Sequence, residues 1–203
     1  MSSEKAKVFI VDDDDAVRNS LRLLFKTVGI EAIGFESGDQ FLQDFDSDWQ
    51  GCVVLDIRMP GTSGLEVQKL LNERGNCMPI IFITGHGDVP MAVEAMQSGA
   101  FDFVQKPFRD QELMDRVSQA LSAAEENLED EQQKKQVAGF YATLTPRETE
   151  VMHCVVKGQA NKVIAMDLEV SQRTVEIHRA RVMEKMHARS LADLVRMSLL
   201  LDI

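Results

Sequence analysis

The sequence predicts two folds on one chain. Residues 1–122 read as an α/β, doubly wound, five-stranded parallel sheet, and residues 142–203 as an all-α four-helix domain. A linker over 123–141, read as helical, joins them. Three observations carry this. Short apolar runs, several rich in β-branched residues, recur at 8–11, 52–55, 80–83 and 101–104, with a weaker one at 31–34, as expected of parallel strands buried on both faces. Segments of helical spacing lie between them, and such alternation builds an open sheet through right-handed crossovers. From residue 143 onward only helical periodicity remains.

Each element has its own signal. The helix over 16–28 places Val17, Leu21, Leu24 and Val28 on one face. A helix over 65–72 follows the turn Gly61-Thr62-Ser63-Gly64, one over 89–98 follows Gly87-Asp88, and one over 111–121 follows a proline. The stretch 123–141 is polar, rich in Glu and Gln and free of proline, so it extends the preceding helix; a flexible coil is the alternative. Gly139 is the expected helix stop there. Thr145-Pro146-Arg147-Glu148 matches a capping box with proline at the first helical position, opening a helix that Gly158 ends near 157. A short helix over 160–167, one opened by Ser171 and reaching about 187, and one capped by Ser190 and reaching about 200 complete the domain.

Charge separates the same parts. The net charge of −11 would disfavour nucleic acid if it were spread evenly. It is not: residues 1–122 carry 11 Lys+Arg against 20 Asp+Glu (net −9), residues 123–141 carry 2 against 5 (net −3), and residues 142–203 carry 9 against 8 (net +1). Only the last part could approach phosphate without strong repulsion. No apolar run nears the roughly 20 residues of a membrane helix. The first residues, with four aspartates after a five-residue apolar stretch, do not form a secretory signal, so a cytoplasmic location and no membrane partner are expected. Cys52, Cys77 and Cys154 lack metal-ligand spacing and read as incidental thiols.

Polar groups stand at successive strand ends. Asp12 and Asp13 follow VFIV, Asp56 follows CVVL, Thr84 follows IIFI and Lys106 follows FVQ. The carboxyl ends of parallel strands share one edge, where ligands bind, so these residues should converge on one cleft. Clustered carboxylates are costly without a cation, and hard oxygen ligands suit Mg²⁺. A carboxylate beside such an ion is a nucleophile toward phosphorus, and a hydroxyl with an ammonium opposite can bind phosphoryl oxygens. Taken singly, each motif has a plainer reading: an acidic helix N-terminus for Asp12 to Asp15, and turns or loops for the others. His86, beside Thr84, reads as a loop or interface residue rather than a general base.

In the C-terminal part, the helices over 160–167 and 171–187 are joined by Leu168-Glu169-Val170, the arrangement of a helix-turn-helix. Val175, Val182 and Met186 form its core stripe. The residues expected at DNA are Lys162, Arg173, Thr174, Glu176, Ile177, His178, Arg179, Arg181 and Lys185. Arginine can read guanine, while Lys162, Arg179 and Lys185 suit backbone phosphates. A helical protein-binding domain with a solvated charged face is the alternative.

The segments VFIVDDD, VVLDIRMPGTSGLE and ITGHGDVPMAVEAMQSGAFDFVQKPF resemble the receiver domain of two-component response regulators, over nearly all of residues 5–122. LTPRETEVMHCVVKGQANKVIAMDLEVSQRTVEIHRARVMEKMHARS resembles the LuxR-type DNA-binding domain, and the pairing resembles FixJ-type regulators. The resemblance implies a flavodoxin-like receiver phosphorylated on Asp56 by a sensor histidine kinase. It implies Mg²⁺ held by Asp13, Asp56 and the Arg58 carbonyl, with Asp12 acting through water. Thr84, Phe103 and Lys106 would be the switch residues, and the Lys106-Pro107 bond would be cis. It also implies double-stranded promoter DNA as a partner and a homodimer when phosphorylated; RNA polymerase is a further candidate partner. A rival reading, an Mg²⁺-dependent phosphohydrolase, meets Arg58 where such enzymes usually place a second acid, so the chain is not expected to be an enzyme. A non-DNA adaptor is the other rival.

Overall fold

The computed structural model describes residues 6–85, 89–201 and 203. They form two compact units, 1–128 and 129–203. In the first, the elements run β1 (Lys7–Val11), α1 (Asp15–Thr27), β2 (Ala32–Phe35), α2 (Gly38–Asp44), β3 (Gly51–Asp56), α3 (Gly64–Glu73), β4 (Ile80–Thr84), α4 (Val89–Gln97), β5 (Asp102–Gln105) and the start of α5 (Asp110–Tyr141). The five strands pair in parallel in the order β2-β1-β3-β4-β5, so the chain reverses direction across the sheet next to β1. That reversal opens a crevice beyond the carboxyl ends of β1 and β3.

Alternation along the strands decides what each face buries. Phe9, Val11, Val53, Leu55, Ile80 and Phe82 point to one side and meet Phe41, Val67, Leu71 and Ala95 from α2, α3 and α4. Val8, Ile10, Cys52, Val54, Ile81, Ile83 and Val104 point to the other and meet Leu21, Phe25, Leu113 and Val117 from α1 and α5. Trp49 stacks on Phe9, with ring centroids 4.5 Å apart, and extends the first core. Cys52 is fully buried, and burial pushes its thiol up to about 12. The helix α2 was not located from the sequence. Its signal was Ser37, which caps it by accepting from the Gln40 amide at 3.1 Å, ahead of buried Phe41 and Leu42.

The second unit contains the end of α5, then α6 (Pro146–Val156), α7 (Asn161–Asp167), α8 (Gln172–Lys185) and α9 (Leu191–Leu200). The capping box forms as expected: the Glu148 amide donates to Thr145 Oγ1 and the Thr145 amide to Glu148 Oε2. Gly139 does not stop α5, which continues to Tyr141. The helix persists because its last turns are part of a core: Val137 is buried in it, and Phe140 and Tyr141 pack against the cluster that includes Val151, Met152 and Met186. Tyr141 Oη also lies 3.0 Å from His153 Nε2 on α6. That burial outweighs the roughly 1 kcal/mol a helical glycine costs.

These contacts predict where the helical domain can be cut. A fragment of residues 129–203 should unfold cooperatively in urea. One of residues 142–203, lacking Val137, Phe140 and Tyr141, should be less stable by about 3 kcal/mol or more. Equal midpoints would show that the end of α5 adds nothing to this core.

Candidate functional site: an acidic cleft and a helix-turn-helix surface

The strand-end residues meet. Asp12 follows β1 and is 1% exposed; Asp56 and Thr84 end β3 and β4; Lys106 follows β5. Carboxylate oxygens of Asp12, Asp13 and Asp56 lie within 4.8 Å of one another, the only such metal-competent cluster among the described residues. Lys106 Nζ donates to Asp12 Oδ2 at 2.9 Å and to Asp56 Oδ2 at 2.8 Å. The Lys106 amide donates to the Thr84 carbonyl at 2.6 Å, which ties the two strand ends together. The Lys106-Pro107 peptide is cis. Phe103, on β5, is 42% exposed. His86 lies outside the described residues.

The acidic run is divided by role. Asp12 and Asp13 enter the cleft. Asp14 caps α1, accepting from the Ala16 amide at 2.8 Å, and Asp15 pairs with Arg18. Arg18, not singled out from the sequence, also donates to the Asp12 carbonyl at 2.6 Å and so anchors the loop that carries the acids. Its sequence signal was a basic residue three positions after an acid at a helix start. Gly64 is a second such residue: a Cβ there would stand 2.2 Å from the Asp56 carbonyl oxygen, so only glycine lets α3 begin against the site.

Burial raises the Asp56 carboxyl above the ordinary aspartate range, against the lowering effects of Lys106 and of the Arg58 amide, which donates to Oδ1 at 3.2 Å. Burial alone would lower the Lys106 ammonium, but its hydrogen bonds to Asp56 and Asp12 raise it instead. Three carboxylates face one lysine there. Three hard oxygen donors in that state fit a small divalent cation.

In the helical unit, Arg173, Glu176, Ile177 and Arg181 on α8 are exposed, as is Lys162 on α7. Arg173 and Glu176 pair at 3.5 Å on that surface. Thr174, His178 and Arg179 are half-buried. Thr174 Oγ1 lies 2.8 Å from the capping Ser171 Oγ, and Arg179 Nη1 donates to Asn161 Oδ1 at 2.6 Å, joining α8 to α7. Lys185, expected at phosphate, is engaged within the unit. Its ammonium bonds buried Glu148 Oε2 at 2.6 Å and the Thr143 carbonyl at 3.1 Å. The bond from Lys185, with the Thr145 amide next, holds the Glu148 carboxyl down to about 2 despite its burial. A depressed carboxyl contributes stability above the ordinary glutamate range and loses it as pH falls through about 2. Lys185 is thus a strut between α8 and α6.

Residues 8–118 match the family described as response regulator receiver domain, and residues 142–198 that described as bacterial regulatory proteins, luxR family. This chain is a two-component response regulator. It is 48% identical over 202 residues to nodulation protein W of Bradyrhizobium diazoefficiens, covering 100% of this chain and 89% of that protein. It is also 48% identical to the transcriptional regulatory protein FixJ of Azorhizobium caulinodans, covering 98% and 95%. Among solved structures, the response regulator StyR superposes with a TM-score of 0.85 at 41% identity, covering 96% of this chain and 98% of that one. Full-length FixJ from B. japonicum does so at 0.60 and 40%, covering 98% of each. The family is regulatory rather than an enzyme class, and its two domains imply a sensor kinase and DNA as partners. Among the described residues, no helix is long and apolar enough to cross a membrane.

The charge imbalance in the receiver gives a stability prediction. A carboxyl whose folded pKa is raised destabilises the fold once ionised, so stability should rise as pH falls from neutral through that pKa. In Mg²⁺-free buffer at neutral pH, Asp56→Asn should raise the melting temperature of the receiver unit by a few degrees. That gain should shrink as the pH is lowered. Calorimetry showing Asp56→Asn less stable than wild type would contradict the electrostatics described here.

Proposed function

We propose that this regulator is switched by phosphorylation of Asp56 by a sensor histidine kinase, and that the phosphorylated form binds promoter DNA as a homodimer. The observation that carries this is Lys106 bridging Asp12 and Asp56 at 2.9 and 2.8 Å, beside the third carboxylate of Asp13. Asp13, Asp56 and the Arg58 carbonyl would hold Mg²⁺, with Asp12 assisting through water. Bound there, the ion supplies the charge neutralisation that phosphoryl transfer needs.

The chain's own residues do the rest. A carboxylate oxygen of Asp56 forms a bond to phosphorus as the phosphorus–nitrogen bond of a phosphohistidine breaks. The Lys106 ammonium, already two hydrogen bonds deep in the site, binds a phosphoryl oxygen, and the Thr84 hydroxyl binds another. Movement of Thr84 and Phe103 then shifts a two-state equilibrium of the receiver. Val93 and Met96 on α4 and Phe103 on β5 are 51%, 40% and 42% exposed, an apolar surface suited to pairing two receivers. Pairing brings two DNA-binding units to adjacent half-sites. There Arg173, Glu176, Ile177 and Arg181 face the major groove, with Thr174, His178 and Arg179 at its edge and Lys162 at phosphate. A cytoplasmic location follows from that role. Arg58, two residues after Asp56, supplies no general acid, which disfavours turnover of phosphoesters.

The test is promoter-fragment binding and sedimentation of the full chain, with and without phosphoramidate and Mg²⁺. Phosphorylation should produce a dimer and tighten DNA binding by about tenfold or more. Asp56→Asn should keep its fold and show neither effect. Equal affinity and equal mass in both states would overturn the switch.

A further inference from the structure

The loop between β3 and α3 carries Arg58, and it is fixed at both ends. At its inner end the Gly64 amide donates to the Ile57 carbonyl at 3.0 Å. At its outer end it meets the first turn of α2. Thr62 Oγ1 donates to Asp39 Oδ1 at 2.5 Å, across 23 residues of sequence. The two segments could come no closer with ordinary side chains. A Cβ on Gly38 would stand 2.5 Å from Val67 Cγ2 and 2.8 Å from the Thr62 carbonyl oxygen. A Cβ on Gly61 would stand 2.7 Å from Asp39 Oδ2, and Gly61 adopts a φ of +75° that disfavours any other residue. Two glycines thus admit one carboxylate to the back of the loop.

We propose that Asp39 is a positioning residue for phosphoryl transfer at Asp56: its hydrogen bond with Thr62 holds the β3–α3 loop, and with it the Arg58 carbonyl, in one conformation. This rests on the reading of that carbonyl as a ligand of Mg²⁺. The physical reason is entropy. Gly61 is the most permissive residue in the loop, and three residues separate Arg58 from Thr62. The Arg58 amide is held by Asp56 Oδ1 at 3.2 Å, but an unanchored Gly61-Thr62 pair would widen the range its carbonyl samples, and each ligand that must be ordered on binding weakens the metal. Asp39 is exposed and Thr62 half-buried, so replacing either costs the fold little while loosening the loop.

The experiment compares five forms of the full chain, wild type, Asp39→Ala, Asp39→Asn, Thr62→Val and Thr62→Ser, and adds the double variant Asp39→Ala/Thr62→Val. Mg²⁺ affinity is measured by calorimetric titration of the unphosphorylated protein, and the lifetime of the phosphoryl group after labelling with phosphoramidate. Asp39→Ala and Thr62→Val should each weaken Mg²⁺ by about tenfold, and combining them should add nothing further. Asp39→Asn keeps an acceptor and Thr62→Ser keeps the hydroxyl, so both should bind Mg²⁺ within about twofold of wild type. If Asp39→Asn fell as far as Asp39→Ala while Thr62→Val bound normally, Asp39 would act through its charge alone and the proposal would be wrong. Five forms with one affinity would sink the clamp and leave the metal site standing. A wild-type protein that bound no Mg²⁺ would sink both.

Discussion

Mutual repulsion of three aspartates at one edge of a parallel sheet is the constraint around which the receiver unit is arranged. Their oxygens lie within 4.8 Å of one another, and Asp12 is almost fully buried. Like charges so placed are tolerated only if something opposes them. Within the described residues that is Lys106, delivered from β5 across the sheet and held by two hydrogen bonds. Lys106 opposes them only in part, and burial keeps the Asp56 carboxyl above its ordinary range. Three carboxylates so gathered make a donor set that fits a divalent cation.

Holding that arrangement takes parts from around the sheet. Arg18 grips the Asp12 carbonyl from α1, Gly64 lets α3 start against Asp56, and the Lys106 amide reaches the Thr84 carbonyl. The helical unit solves a different problem by similar means. One surface of α8 stays exposed while α8 is tied down from its sides, by Arg179 to Asn161 and by Lys185 to Glu148. Charges on α8 thus divide into those left exposed and those already engaged in holding the helix.

That division explains what could be read from the sequence. Strand-end residues were legible because parallel strands have a short apolar signature and their carboxyl ends must share an edge. Asp12, Asp56 and Thr84 each follow such a run directly, and Lys106 follows one after Gln105. The core stripe of α8 was legible from its period, and Val175, Val182 and Met186 are buried. Interactions that depend on tertiary neighbours were not. The bond of Lys185 to Glu148 has no local signal, because Glu148 lies 37 residues earlier. Gly139 looked like a helix stop because nothing local shows that Val137 and Tyr141 enter a core. Helix α2 was not located, and with it the contact of Asp39 with Thr62, which spans 23 residues.

Burial out of water destabilises the ionised Asp56 carboxyl, and Lys106 relieves this only in part. Carbon-detected NMR titration of the aspartate side chains in Mg²⁺-free protein measures this directly. Asp56 should titrate above the ordinary aspartate range, and should move higher still in the Lys106→Met variant. An Asp56 that titrates in the ordinary range and ignores Lys106→Met would contradict the account.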